Sequence, residues 1–139
     1  MKKAIIFCAV AVAVALMAGN VAADVAAPRF GHEIKLKDGR YRGTAGAFAG
    51  DMTVEATVEG GLVKEIKIIS HHDHDDFVTA AERGVSRAII ERQTLSVDAV
   101  SSATYTSYGI INGLRAALTR ALTGGELPPA KEIKGAGTH

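Results

Sequence analysis

The chain has 139 residues, with sixteen Lys and Arg against fifteen Asp and Glu, a length that suits one domain around a single modest core. Near-balanced charge without a basic block excludes the usual nucleic-acid-binding surface. One cysteine excludes an internal disulfide framework, and no Cys-x-x-Cys-His run is present to hold haem covalently.

The first residues carry the pattern of an export signal. Lys2 and Lys3 give a positive start, Ala4 to Ala18 is an uninterrupted apolar run, and Val21-Ala22-Ala23 supplies small residues for cleavage. The run falls short of the roughly 20 apolar residues that a membrane span needs. Removal of residues 1–23 leaves 116 residues, with fourteen Lys and Arg against fifteen Asp and Glu and no thiol, because Cys8 lies in the apolar run. The expected location is the periplasm or the outside of the cell, or the membrane face if the signal is retained.

Residues 24–37 read as a lead-in, with Pro28 early and no periodic pattern. Lys37-Asp38-Gly39 is turn chemistry, and Tyr41 to Phe48 reads as a first strand rich in Gly and Ala. Gly43, Gly46 and Gly50 signal close approach of another backbone or of a ligand. Met52, Val54, Ala56 and Val58 then alternate with Thr53, Glu55, Thr57 and Glu59, the period of a half-buried strand. Glu59-Gly60-Gly61 supplies a hairpin turn, and Leu62 to Ile69 returns as a β-branched strand.

Phe77, Ala81, Val85, Ala88 and Ile89 recur at helical spacing, which predicts an amphipathic helix over 77–92. Leu95 to Val100 reads as a short extended segment. A last helix is predicted from about Ser107 to Leu122, burying Ile110, Ile111, Leu114, Ala117, Leu118 and Ala121. Gly124-Gly125 and Pro128-Pro129 stop it, and residues 123–139 read as a loose tail. The expected fold is α+β: a small antiparallel sheet with a central hairpin, covered on one face by two helices.

Six small hydroxyl side chains crowd residues 96–107, "SVDAVSSATYTS", at the entrance of the last helix. A Ser or Thr there ordinarily caps the helix by accepting a bond from a free backbone N–H. One cap suffices, whereas Ser101, Ser102, Thr104, Thr106 and Ser107 exceed that need. A helix start also favours an anion, phosphate above all, and hydroxyls add hydrogen bonds without charge. Composition alone leaves plain capping and a phosphate-bearing ligand both open.

Asp98-Ala99-Val100-Ser101-Ser102-Ala103-Thr104 closely resembles the flavinylation motif of the FMN-binding domain family. That domain occurs in the C subunit of the sodium-pumping NADH:quinone reductase, in the G subunit of the Rnf complex and in small exported flavoproteins. The similarity extends upstream through Asp38-Gly39-Arg40-Tyr41-Arg42-Gly43, the hairpin and the following helix, so it covers residues 38–122. It implies FMN joined through its phosphate to the Thr104 hydroxyl as a phosphoester, attached by an FMN transferase that takes FMN from FAD. Ala103 would keep the acceptor's flank open, and Asp98 would orient the loop or meet the transferase. Ser102 stands where the family usually has Gly. A positive φ there would strain a serine, whereas close approach alone would tolerate it. Tyr105, Thr106 and Ser107 agree with the family's hydroxyl-rich continuation.

The rival feature is "SHHDHDDF" at 70–77. His71, His72 and His74 with Asp73, Asp75 and Asp76 are good ligands for zinc, nickel or copper. Nothing elsewhere in the sequence completes a closed site, since His32 and His139 stand alone. The blander reading is a solvated loop that caps the next helix through Asp75 or Asp76, and no metal site is assigned. By the resemblance, the loop returns near the flavin, where His71 or Asp73 would touch the ring. Tyr41, Phe48, Tyr105 and Tyr108 are the aromatics available to stack on it, Tyr105 first among them for its place beside Thr104.

No catalytic residue is assigned. The expectation is an exported flavoprotein with covalent FMN at Thr104, exchanging electrons with redox partners such as cytochromes or a membrane oxidoreductase complex. The alternatives are a periplasmic metal-binding protein using His71–Asp76 and a reductase holding FMN without a covalent bond.

Overall fold

The computed structural model describes residues 27–132, so the export signal and the last seven residues lie outside the described residues. Among the described residues, five strands and three helices follow in order: β1 (Lys35–Leu36), β2 (Gly39–Gly46), β3 (Asp51–Glu59), β4 (Leu62–Ser70), α1 (Asp75–Ala81), α2 (Arg87–Arg92), α3 (Thr104–Thr119) and β5 (Leu122–Gly124). A π-helical turn, Glu82–Ser86, joins α1 to α2, and a 3₁₀ turn, Ser101–Ala103, leads into α3. The fold is α+β.

The sheet is an antiparallel meander, β2-β3-β4, with β3 in the centre. Its alternating sequence puts Met52, Val54, Ala56 and Val58 inside at no more than 1% exposure. The register against β2 is unbroken from Gly39↔Val58 to Gly46↔Asp51. Gly60 and Gly61 close the β3–β4 hairpin with φ of 63° and 77°, the two left-handed residues of a tight hairpin turn. The Asp38 carboxylate accepts hydrogen bonds from both their amides, each at 3.0 Å. Those two bonds hold its pKa below the ordinary aspartate value.

Helix α3 lies across β2 and β3, and its stripe of Ile110, Ile111, Leu114, Ala117 and Leu118 is buried, as the spacing predicts. The approach is close. A Cβ at Gly43 would lie 2.1 Å from the Gly113 carbonyl and 2.4 Å from the Ala117 amide. Of the two readings of Gly43, backbone approach is the one seen. Gly109 likewise receives Ala47, to which a Cβ would come within 2.7 Å.

Several boundaries differ from the sequence expectation. Strand β2 ends at Gly46, leaving Phe48 in a turn that closes with Ala47 N–H donating to the Gly50 carbonyl at 2.8 Å. The helix expected over 77–92 begins at Asp75 and contains the π turn. Phe77, placed on its buried stripe by spacing, is 38% exposed, because at the first turn it reaches past the core to meet Phe48. Residues 95–100 form no strand, yet Leu95 and Val97 are buried.

The described part of the expected loose tail is ordered against the domain. Leu122–Gly124 pairs with Lys35–Leu36, Leu127 is buried, and the Asn112 side chain bonds both backbone groups of Lys131. The lead-in packs as well, with Phe30 and Ile34 fully buried. Both segments contribute lone apolar anchors set between polar residues, a pattern without a period.

Gly43→Ala forces a carbon into backbone on both sides, and overpacking of this kind costs about 1–3 kcal/mol. Thermal denaturation should show the midpoint falling by roughly 4–8 °C for each kcal/mol lost. The lowered Asp38 pKa has its own signature in acid. Its stabilisation is present above the unfolded aspartate value of about 3.9 and is lost as pH falls through the folded value. Denaturation series from neutral pH to about pH 2 should therefore show Asp38→Asn losing less stability on acidification than the parent chain.

Candidate cofactor site

Helix α3 starts without a side-chain cap. The cap position is Ala103 (φ −146°, ψ 51°), which has no oxygen to offer the free amides of the first turn. None of Ser101, Ser102, Thr104, Thr106 and Ser107, one of which would suffice as a cap, plays that part. They divide into two groups.

Ser107 and Thr106 are buried and committed to the fold. The Ser107 hydroxyl accepts from the Val100 amide at 3.1 Å and donates to the Ala103 carbonyl at 2.7 Å, which braces the turn ahead of the helix. The Thr106 hydroxyl donates to the Asp73 carboxylate at 2.6 Å. Ser101 and Ser102 are exposed, and Thr104 is half-buried, its hydroxyl making only a long 3.4 Å contact to the Ser101 carbonyl. Gln93 is the one non-glycine residue with positive φ among those described, so Ser102 sits at ordinary backbone angles and carries no left-handed strain.

An open cleft of about 180 Å³ lies at this helix start, lined by Phe48, Phe77, Ser102, Ala103, Thr104, Tyr105 and Thr106. Three rings form its apolar side. Phe48 stacks on Tyr105 with centroids 6.3 Å apart and planes 24° apart, and meets Phe77 edge-on at 6.2 Å. Phe48 is 60% exposed, a large apolar side chain left at the mouth of a cleft. Its turn is tethered from below: Asp73 accepts from the Phe48 amide at 3.1 Å and the Ala49 amide at 2.6 Å.

Ser102, Ala103, Thr104, Tyr105 and Thr106 are thus brought together in one wall. Ser101, Ser107, Asp98 and His71 stand outside it. Asp98 is exposed, and Ser107 lies beneath the turn. His71 is held near Asp75, Nε2 to Oδ1 at 3.7 Å. Asp73, expected at the ring, is buried behind the Phe48 turn instead. Tyr41 bonds the Lys37 and Asp38 carbonyls, away from the cleft, while Tyr108 tilts against Tyr105 at 6.5 Å. Phe77, whose spacing mimics a core residue of the helix, also lines the cleft.

The His/Asp loop does not converge on a point. His74 Nδ1 accepts from the Asp76 amide at 3.3 Å, so the cap of α1 is a histidine rather than Asp75 or Asp76. Among the described residues no group of three or more His, Cys, Asp or Glu side chains is placed to hold a metal ion.

The profile of the FMN-binding domain family matches residues 48–119, from the turn that carries Phe48 to the end of α3. The chain belongs to the FMN-binding domain family. It is 35% identical over 80 residues to an uncharacterized protein of Treponema pallidum (strain Nichols), a match covering 58% of this chain and 22% of that protein. It is 28% identical over 81 residues to the NADH:acrylate oxidoreductase of Vibrio harveyi, covering 58% of this chain and 8% of that enzyme. The chain therefore corresponds to less than a quarter of either relative's length.

The residues present fit the cofactor that the family binds. Uncapped amides and the positive end of a sixteen-residue helix suit a phosphate, and the Thr104 hydroxyl lies in the same wall. The Phe48, Phe77 and Tyr105 rings suit a flat aromatic ligand beside it.

The two hydroxyl groups should separate in stability measurements. Ser107→Ala leaves the Val100 amide without its partner, and such a loss costs about 1–3 kcal/mol. Ser102→Ala, at an exposed position, should stay within about 0.5 kcal/mol of the parent in the same urea titration.

Proposed function

We propose that this protein is an exported electron carrier whose FMN is esterified through its phosphate to Thr104. One convergence carries the reading: the Thr104 hydroxyl, an α3 start with no side-chain cap and three aromatic rings line a single cleft. A phosphate held there would lie against the first-turn amides, which offset its charge. Phe48, Phe77 and Tyr105 would cover part of the ring and keep water from it. Bound flavin supplies one- or two-electron transfer, while the domain sets its orientation and potential.

Attachment calls for a transferase with FAD as donor. The Thr104 oxygen replaces AMP on the FMN phosphorus, and the hydroxyl proton is released. Exposed Ser101 and Ser102 leave that side of the acceptor approachable. The open side of the cleft, next to the exposed Phe48, would face a redox partner such as a cytochrome or a membrane oxidoreductase complex. A relative named as an NADH:acrylate oxidoreductase supports a redox role for the shared domain. The Lys2, Lys3 and apolar start of the chain supports export.

Intact-mass measurement after co-expression with a transferase tests the ester. The parent chain should carry one FMN moiety that survives denaturation and washing, and Thr104→Ala should carry none. Flavin released in full by denaturation would favour a non-covalent FMN-dependent reductase. A chain with no flavin in a competent host would overturn the reading.

A further inference from the structure

Asp73 is 4% exposed, whereas its neighbours Asp75 and Asp76 have side chains more than nine-tenths exposed. A carboxylate removed from water is tolerated only with hydrogen bonds or a counter-charge. Asp73 has the first and lacks the second. Its three donors are the Phe48 amide, the Ala49 amide and the Thr106 hydroxyl, which come from segments 24 to 33 residues away in sequence. No Lys, Arg or His among the described residues pairs with it. Two of its three partners, Phe48 and Thr106, themselves line the cleft.

From this geometry, and resting on the FMN reading above, we propose that Asp73 is a positioning residue for the flavin with an electrostatic effect on its potential. The carboxylate ties the Phe48 turn to the first turn of α3, and so sets how Phe48 faces Tyr105 across the cleft. It also leaves an unpaired negative charge directly behind both walls. Electrons added to the ring bring negative charge toward a carboxylate that is itself buried away from water, so reduction becomes harder. Asp73 therefore holds the potential of the flavin lower than the cleft would without it.

Asp73→Asn keeps the shape and removes the charge. Two readouts separate this inference from the assignment of FMN to Thr104. The first needs no flavin: hydrogen exchange at the Phe48 and Ala49 amides of the unloaded chain should quicken by roughly tenfold in Asp73→Asn. The second is a dye-coupled titration of the flavin-loaded protein, with dithionite donating electrons to the flavin. The potential of Asp73→Asn should move to more positive values than the parent's. Thr106→Val keeps the charge and removes one anchor. It should quicken exchange at the same two amides and shift the potential less than Asp73→Asn does, and it serves alone if the asparagine variant fails to fold. Unchanged amide exchange in a folded variant would overturn the clamp. An unchanged or more negative potential in loaded Asp73→Asn would overturn the electrostatic effect. A parent chain that takes no flavin would sink the FMN reading, with amide exchange still deciding the clamp.

Discussion

Helix α3 can lie against β2 only because Gly43 presents no side chain to the Gly113 carbonyl and the Ala117 amide. Everything at the cleft follows from that approach. Strand and helix run in opposite directions, so steps toward the end of β2 are steps toward the start of α3. Gly43 meets Gly113 and Ala117, Ala47 meets Gly109, and Phe48 meets Tyr105. The turn after β2 is thereby delivered to the helix N-terminus, and the aromatic wall is assembled from residues 57 apart in sequence. A larger residue at position 43 would push the helix outward and open the cleft from its base.

The hydroxyls at the helix entrance share a residue type and serve opposite ends. Thr106 and Ser107 spend their bonds on the fold, one on Asp73 and one on the turn that precedes the helix. Thr104 does not, and its half-buried hydroxyl is the one left beside the uncapped amides. Composition cannot separate these roles, because all three residues fall within one helical turn. What separates them is the partner each hydroxyl finds: Thr106 bonds Asp73 and Ser107 bonds Val100 and Ala103, while Thr104 makes only a long contact to the Ser101 carbonyl.

Periodicity made the central sheet and the buried stripe of α3 legible from sequence. Met52 to Val58 alternate without a break, and Ile110 to Leu118 repeat at helical spacing, so both buried faces follow from local order alone. Residues 102–106 are consecutive, so they share one wall of the cleft by chain continuity alone. Features made by residues far apart were hidden. Phe77 has helical spacing to Ala81 and reads as core, yet the first turn of α1 points it at Phe48. Asp73 looks like Asp75 and Asp76 in sequence, and only the return of the chain beside the Phe48 turn buries it. The closing strand β5 is three residues long and finds its partner in the lead-in, too short a segment to show a period.

The residue at the cap position of α3 ties stability to function. Alanine in place of Ser, Thr, Asp or Asn at a helix N-cap costs about 0.5–2 kcal/mol, and Ser101, Ser102, Thr104 and Thr106 all lie within one turn of Ala103. A cap would have required only a different register. A side-chain oxygen at position 103 would occupy the amides that an anion needs. Leaving that end uncapped gives up local stability and keeps a binding surface free. The bracing of Ser107 against Val100 and Ala103 then has a physical reason: it holds the turn in place at the point where the usual cap is missing.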